Sequence, residues 1–214
     1  MPNAKPVNLY MLLDESGSMG GQDGLVRKAV NAYIKGLQDE SEAGTSLTIV
    51  RFGVYSMATQ TWYHHIVQDI ALEEFEPITI QDYFPRGGTP LYESITMTIQ
   101  EAGEQQKNQV HPGDVLIVIL TDGMDDNAPA PEIEAALSKL IAKKRAEGYG
   151  FVMLEFGGAA RGIGQMLGIP NVMQFGPMST EAAFERLKEA SVEYSNSTGR
   201  SEKDIIKKGK KGAE

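Results

Sequence analysis

The feature that most constrains the fold is an apolar run in the middle of the chain, Val115-Leu116-Ile117-Val118-Ile119-Leu120. A strand that is apolar at almost every position is buried on both faces, and such strands are typical of the centre of a parallel sheet. A second run, Leu9-Tyr10-Met11-Leu12-Leu13, is also short, unbroken and followed by turn residues. The two runs predict two buried strands of a mostly parallel sheet.

The rest of the chain alternates between strand and helix patterns. Amphipathic spacing predicts helices, and alternating or β-branched runs predict strands. The expected fold is a three-layer α/β sandwich, Rossmann-like and doubly wound, with a mostly parallel sheet and one antiparallel edge strand supplied by a hairpin. The predicted helices span about 25–37, 90–102, 131–147, 163–167 and 180–194, and the further strands span 46–52, 59–67, 149–156 and 171–175.

Charge divides the chain into a body and a tail. The net charge is −9, but residues 197–214 carry six Lys or Arg against three Asp or Glu, which leaves −12 on residues 1–196. We therefore expect one domain over 1–196 and a basic, disordered tail over 197–214. The acidic body argues against a nucleic-acid-binding face. The tail lysines remain open to RNA, DNA or an acidic partner.

Composition also bears on location. The chain has no cysteine, which excludes disulfides and thiolate metal sites and fits a reducing compartment. No apolar stretch is long enough to cross a bilayer, and residues 1–6 do not resemble a signal peptide. These features predict a cytoplasmic protein without membrane contact. They leave the oligomeric state undetermined.

Oxygen-bearing side chains follow both buried strands. Asp14, Ser16 and Ser18 come directly after the first strand, and Asp122 follows the central one. Thr89 precedes a predicted helix. In open α/β sheets ligands bind beyond the carboxyl ends of the strands, so these five residues are expected to meet at one edge. A set of oxygen ligands without sulfur or imidazole is suited to a hard cation.

Each residue also has a purely structural interpretation. Asp14 and Asp122 stand where turns commonly carry aspartate. Ser18 is a candidate cap for the following helix, and Thr89 is a candidate N-cap with Pro90 at the first helical position. Taken singly, the two hydroxyl residues fit the capping role better. Taken together, at the ends of strands expected to be neighbours, all five favour a shared site.

Three motifs carry a resemblance to a known family. Asp14-Glu15-Ser16-Gly17-Ser18 resembles the Asp-x-Ser-x-Ser signature of von Willebrand factor type A domains. Gly87-Gly88-Thr89-Pro90-Leu91-Tyr92 resembles the threonine loop of that family, and Leu120-Thr121-Asp122-Gly123 its aspartate loop. The motifs occur in the family's order, and the α/β alternation covers about residues 7–195. The Gly-Gly-Thr-Pro-Leu sequence of the threonine loop is most similar to that of intracellular prokaryotic and phage members of the family.

The resemblance implies a complete metal-ion-dependent adhesion site, usually holding Mg²⁺, with Mn²⁺ or Ca²⁺ as alternatives. It implies that Ser16 and Ser18 bind the ion directly, that Thr89 does so in the ligand-competent state, and that Asp14 and Asp122 act largely through water. A Glu or Asp of a partner protein would fill the open position. The implied function is a protein-binding module rather than an enzyme, such as an adaptor, a scaffold or a partner of an AAA+ ATPase.

An enzymatic alternative is a Mg²⁺-dependent phosphohydrolase with Asp14 as nucleophile. Such a site needs a general acid near the nucleophile and a lysine facing the phosphate. Ser16 stands where the acid is expected, and no lysine follows in a suitable loop. A dinucleotide-binding loop is excluded because Gly17, Gly20 and Gly21 lack the Gly-x-Gly-x-x-Gly spacing.

Other polar residues receive weaker assignments. His64 and His65 alternate in a strand and are expected to point to opposite faces in structural or surface roles. Asp125 and Asp126 form either a second cation site or an exposed acidic turn. Glu15, at a variable position of the signature, is assigned no ligand role. The acidic, irregular stretch 69–86 borders Thr89 and is a candidate specificity-determining rim.

Overall fold

The structure is a computed structural model that describes residues 6–40, 44–110, 112–123, 130–157, 162–176 and 178–196. Within these residues the chain forms six strands and five α-helices in the predicted order, with β2 followed directly by β3. The strands are β1 (Val7–Asp14), β2 (Thr45–Ser56), β3 (Thr61–Ala71), β4 (Asp114–Thr121), β5 (Gly150–Phe156) and β6 (Asn171–Phe175). The helices are α1 (Asp23–Glu40), α2 (Leu91–Asn108), α3 (Pro131–Ala146), α4 (Ile163–Met166) and α5 (Thr180–Asn196).

The strands form one sheet in the order β3-β2-β1-β4-β5-β6. All neighbouring pairs are parallel except β2 and β3, which form the antiparallel edge hairpin. The predicted mostly parallel α/β fold is therefore confirmed. The two apolar runs are adjacent strands, with Leu13 of β1 opposite Leu120 of β4. This pairing brings the polar residues that follow them to the same point of the sheet edge.

Helices cover both faces of the sheet, because alternate strand residues point to opposite sides. On one face α1 and α5 pack against Leu9, Met11 and Leu13 of β1. On the other face α2, α3 and α4 pack against Tyr10 and Leu12 of the same strand. Both β1 and β4 are buried along nearly their whole length. The site edge therefore rests on a core with little freedom to move.

The stretch 69–86, which the sequence left without a defined structure, packs against the α1 face of the sheet. Its apolar residues Leu72, Phe75, Ile78 and Tyr83 are all buried in that core. The side chain of Asn31 on α1 bonds the Ile78 backbone in both directions, at 2.9 and 3.0 Å. The stretch is thus anchored from within, which fixes where it meets the end of β1.

Helices α1 and α2 extend further than predicted, and the start of α2 bears on the site. Helix α2 begins at Leu91 with Pro90 as its N-cap residue, so Pro90 is not the first helical residue and Thr89 lies outside the helix. The Leu91 amide donates to the Thr89 carbonyl at 2.8 Å, a tight turn that separates Thr89 from the helix. The predicted tail 197–214 and the pair Asp125 and Asp126 lie outside the described residues.

Candidate metal centre

The candidate site is built first on the neighbouring ends of β1 and β4. Asp14 is the last residue of β1 and Thr121 the last residue of β4. Both side chains are buried. The Thr121 hydroxyl donates to Asp14 Oδ2 at 2.6 Å, and the Ser16 amide donates to Asp14 Oδ1 at 2.8 Å. Each oxygen of the Asp14 carboxylate thus accepts a hydrogen bond from the protein.

Burial changes the acidity of this carboxyl group. Removal from water raises the pKa of Asp14 to about 6, because desolvation disfavours the charged form more than the hydrogen bonds from Thr121 and Ser16 favour it. The nearby Asp122 adds a smaller upward contribution. Partial burial also raises the pKa of Asp122. Two carboxylates at one point of the edge are therefore both disfavoured in their charged forms.

The two serine hydroxyls connect the first loop to the aspartate loop. Ser16 Oγ and Ser18 Oγ lie 3.0 Å apart, and the Ser18 hydroxyl donates to Asp122 Oδ1 at 2.7 Å. Ser18 belongs to a short 3₁₀ helix, Gly17–Met19. Its hydroxyl points across to Asp122, 104 residues away in sequence, instead of capping α1. The capping interpretation of Ser18 is therefore wrong.

The threonine loop completes the arrangement from a third direction. Thr89 is buried, and its Oγ1 would lie 3.9 Å from a Cβ placed on Gly123, the residue after Asp122. The loop is also joined to the first loop, because Ser16 and Gly87 form a parallel bridge and the Gly17 amide donates to the Gly87 carbonyl at 2.8 Å. The structure thus brings the three predicted loops together.

Three residues that support this geometry received no role from the sequence. Thr121 bonds Asp14 as described, and the Tyr83 hydroxyl donates to the Asp14 carbonyl at 2.6 Å. Glu15 is fully buried and pairs with Arg51 of β2. The place of Thr121 at the end of β4, directly before Asp122, is the sequence signal for its role. Tyr83 and Glu15 depend on long-range packing that no local pattern contains.

The two histidines lie on the edge strand β3 and have separate partners. His64 Nε2 lies 2.9 Å from the Val54 carbonyl, and His65 Nε2 lies 2.8 Å from Glu101 Oε1 on α2. Neither shares a ligand with the other. The predicted structural or surface role of both histidines is in line with these contacts.

The donor set at the strand ends suits a hard divalent cation. It combines hydroxyls with two carboxylates, and within the described ranges no group of three or more His, Cys, Asp or Glu that could hold a metal ion is found, at this edge or elsewhere. No lysine or arginine in the described part of the chain pairs with Asp14 or Asp122. Neutral hydroxyls leave a bound ion much of its charge, and oxygen ligands are those that Mg²⁺ and Mn²⁺ prefer.

Fold and site together define a Rossmann-like α/β domain with a cluster of oxygen-bearing side chains at the carboxyl ends of its central strands. The chain belongs to the von Willebrand factor type A domain family, whose sequence pattern matches residues 7–168. The predicted family is confirmed. A comparison with curated protein sequences gave no match.

Several solved structures share the fold at low sequence identity. The pilus adhesin SpaC from Lactobacillus rhamnosus GG, in its open conformation, has a TM-score of 0.68, 13% identity, and coverage of 90% of this chain and 31% of SpaC. The manganese-loaded TRAP protein of Plasmodium vivax has a TM-score of 0.55 and 15% identity, with coverage of 84% of this chain and 72% of the TRAP chain. Proximal thread matrix protein 1 from the mussel byssus, with a zinc-occupied MIDAS motif, has a TM-score of 0.53 and 13% identity. The match covers 88% of this chain and 45% of the mussel protein.

These likenesses concern the fold, and the proteins themselves can be much longer. The chain spans about a third of the length of the SpaC adhesin. Among the residues that the structure describes, no helix has both the length and the apolar character needed to cross a membrane.

Proposed function

We propose that this protein is a metal-ion-dependent protein-binding module. The observation that carries the proposal is the convergence of Ser16, Ser18 and Asp122 within hydrogen-bond distance beside the buried Asp14. Four oxygen-bearing side chains from two loops meet there, and their carboxylates have no cationic side chain to neutralise them in the described structure. A divalent cation would supply the missing positive charge.

In this proposal Ser16, Ser18 and Thr89 hold the ion directly, and Asp14 and Asp122 hold it largely through water. Mg²⁺ is the expected ion, since it retains waters readily in octahedral geometry, with Mn²⁺ or Ca²⁺ as alternatives. The ion would accept a Glu or Asp side chain of a partner protein at its open position. Asp14, held by Thr121 and the Ser16 amide, orients the first loop beneath that position.

The geometry speaks against the alternative in which Asp14 is the nucleophile of a phosphohydrolase. A nucleophilic carboxylate must present an oxygen to the substrate. Asp14 is fully buried, and each of its oxygens accepts a short hydrogen bond from the protein. A floor beneath a bound ion needs no such exposure, so the contacts of Asp14 favour binding over catalysis.

The similar structures lend general support. By their own descriptions TRAP is manganese-loaded, the mussel protein carries zinc in a MIDAS motif, and SpaC is a pilus adhesin. The choice of Mg²⁺ for this chain rests on its donor set. A cytoplasmic location and an intracellular prokaryotic or phage setting, as an adaptor, scaffold or AAA+ partner, extend the proposal and rest on the cysteine-free sequence and its motifs.

The test is affinity capture from the native host with the full chain as bait. One arm contains Mg²⁺, one contains a chelator, and one uses Thr89→Ala in the presence of Mg²⁺. We expect the same partner to be lost in the second and third arms. Thr96→Ala is the matched control, because Thr96 lies on the neighbouring helix α2 with its hydroxyl bonded within that helix.

The outcomes separate the possibilities. Loss of one partner with chelator and with Thr89→Ala, but not with Thr96→Ala, supports a metal bridge. A partner that stays bound in both the chelator and Thr89→Ala arms would show that the metal is not the contact. A steady hydrolysis of phosphate monoesters, abolished by Asp14→Asn, would instead favour the enzymatic alternative.

A further inference from the structure

The residue between the first two site residues occupies an unexpectedly central place. Glu15 has no exposed surface, although it stands at the variable position of the Asp-x-Ser-x-Ser signature. Its amide donates to the Phe52 carbonyl of β2 at 2.8 Å, and its carbonyl accepts from the Arg86 and Gly87 amides, both at 2.9 Å. The Glu15 backbone therefore joins the end of β1 to β2 and to the segment that precedes Thr89.

The Glu15 carboxylate repeats the same connections through its side chain. Arg51 Nη1, from β2, lies 3.0 Å from Oε1 and 2.8 Å from Oε2, and the Phe84 amide donates to Oε1 at 2.8 Å. The Arg51 side chain is 24% exposed, whereas that of Glu15 is fully buried. A buried carboxylate is strongly unfavourable unless it is paired and hydrogen-bonded, so this arrangement is specific to a charged pair.

The segment 84–88 is then fixed up to the residue before Thr89. The Gly88 amide donates to the Gly53 carbonyl at 3.0 Å. Gly53 has a φ of +121°, and a Cβ placed on Gly87 would lie 2.1 Å from the Gly53 carbonyl oxygen. Only glycines allow this backbone approach. Thr89 therefore follows directly after a short segment, 84–88, whose start is held by Glu15 and whose end is held by β2.

We propose that Glu15, held by Arg51, is a positioning residue that places Thr89 in the metal site. The proposal rests on the proposed function, because it concerns the same ion. Groups that orient the ligands of a metal typically change its affinity by about 10- to 100-fold when they are replaced. Loss of either member of the pair is expected to weaken divalent metal binding by an amount in this range.

A simple charge effect predicts a different pattern, which makes the proposal testable. Glu15→Gln removes a negative charge near the ion and would weaken binding on either account. Arg51→Gln removes a positive charge, so electrostatics alone would strengthen cation binding. A positioning role requires that Arg51→Gln weaken it. The sign of the Arg51→Gln effect therefore distinguishes the two accounts.

The experiment measures the dissociation constant of Mn²⁺ for the purified full chain by electron paramagnetic resonance. Wild type, Glu15→Gln and Arg51→Gln are each compared with and without Thr89→Ala. We expect both single variants to weaken Mn²⁺ binding about 10-fold or more. Since the positioning effect acts through Thr89, Arg51→Gln should not weaken binding further once Thr89 is alanine, and Glu15→Gln should keep only its charge effect, which is the signature of coupled sites.

A matched control separates positioning from loss of stability. Glu155→Gln alters another fully buried carboxylate, which lies opposite Thr121 in the register of β4 with β5 but accepts the backbone amides of Gly162 and Gly164. It is expected to lower the melting temperature and to change the Mn²⁺ dissociation constant much less than Glu15→Gln does. Arg51→Lys keeps the positive charge on a differently shaped side chain, and is expected to restore part of the affinity lost in Arg51→Gln. Should Glu15→Gln not fold, the Arg51 variants carry the test.

Each result has a defined meaning. Unchanged or tighter Mn²⁺ binding in Arg51→Gln would overturn the positioning role, as would a full loss of affinity that persists beside Thr89→Ala. If wild type binds Mn²⁺ normally, these outcomes leave the proposed function intact. If wild type binds no Mn²⁺, the metal site itself is wrong and the positioning role falls with it.

Discussion

Buried polar groups at the two ends of the sheet's strands are satisfied in different ways. At the amino end of β1, Asn8 donates to Gln109 Oε1 at 3.1 Å and its own Oδ1 accepts from Gln109 Nε2 at 3.2 Å. The Ser46 hydroxyl of β2 donates to the same Oδ1 at 2.9 Å. Every group is neutral, and donors and acceptors are balanced within the network.

At the carboxyl end of β1 the balance is different. Asp14, Asp122 and the serine hydroxyls bring together mostly acceptors, and burial raises the pKa of Asp14 to about 6. The Asn8 network shows that buried polar side chains of this sheet can be satisfied by amides and a hydroxyl without a charged group. The contrast indicates that the carboxyl edge retains an electrostatic cost that a bound cation would remove.

The largest effect on the difference between the two edges is expected when the carboxyl edge is made neutral. Asp14→Asn is expected to stabilise the metal-free protein at pH 7.5 by up to about 3 kcal/mol, the equivalent of the rise in the Asp14 pKa. The new amide can donate to the Thr121 hydroxyl, which can in turn donate to the Gly123 carbonyl, 3.2 Å away. The measurement is urea unfolding in the presence of a chelator.

The pH dependence of that difference has a defined sign. The Asp14 pKa is near 3.8 in the unfolded chain and about 6 in the folded one, so the folded state binds the proton more tightly. The stability that this provides is complete below pH 3.8 and is lost as pH rises through 6. The gap between Asp14→Asn and wild type should therefore be small near pH 4 and largest above pH 6. A less stable Asp14→Asn at pH 7.5 would contradict the comparison.

Adding a divalent cation should remove the electrostatic cost at the carboxyl edge of the wild-type protein. A ligand that binds only the folded state at 100 times its dissociation constant stabilises by about 2.7 kcal/mol. We expect Mn²⁺ or Mg²⁺ to give wild type a gain of this size in urea unfolding at pH 7.5, and to give Asp14→Asn much less. An equal gain in both proteins would mean that the ion binds elsewhere.

The opposite substitution tests the amino edge. Asn8→Asp is expected to destabilise the protein by about 2 kcal/mol, because it introduces a buried charge and leaves Gln109 Oε1 without the Asn8 donor. Saturating Mn²⁺ should not reverse the loss, since in the described structure Asn8 is bonded to the Gln109 amide and the Ser46 hydroxyl and not to a second carboxylate. Rescue by Mn²⁺ would show that the amino edge is also a cation site and would remove the distinction.

The comparison also explains what the sequence could and could not predict. The order of strands and helices follows from local periodicity, and the meeting of Asp14 with Asp122 follows from two apolar runs that must be neighbours. The start of α2 was misjudged because Thr-Pro is a strong local helix signal, whereas the Leu91 amide bonds the Thr89 carbonyl in a tight turn before the helix begins. Whether the five residues bind metal is still a prediction.

The supporting residues were missed for a common reason. Glu15 looked like a variable residue because its partner Arg51 is 36 positions away, and their meeting depends on the register of β1 with β2. Tyr83 looked like part of an irregular stretch, yet its hydroxyl reaches the Asp14 carbonyl 69 positions away. Ligand residues leave a spaced motif, whereas residues that hold ligands in place are defined only by packing.

The smallest expected effect concerns the hydrogen bond beneath the site. Thr121→Val keeps the shape of the side chain but removes the donor to Asp14 Oδ2. Hydrogen bonds to charged groups contribute about 1.5–3 kcal/mol to stability. We expect a loss of stability near the lower value, because burial already disfavours the charged form of Asp14 in the metal-free protein. Mn²⁺ affinity should fall by about 10-fold because Asp14 loses its orientation. Urea unfolding and Mn²⁺ titration give the two quantities.

Thr98→Val is the matched control for this prediction. Thr98 is as fully buried as Thr121, but its hydroxyl donates to the Ser94 carbonyl within α2, away from the carboxyl edge. It should lose stability of similar size and bind Mn²⁺ as wild type does. If Thr121→Val also binds Mn²⁺ as wild type does, the Thr121 hydroxyl serves only the packing of β4. The carboxyl edge would then resemble the amino edge at this position, with a hydrogen bond that stabilises the fold and does nothing for the ion.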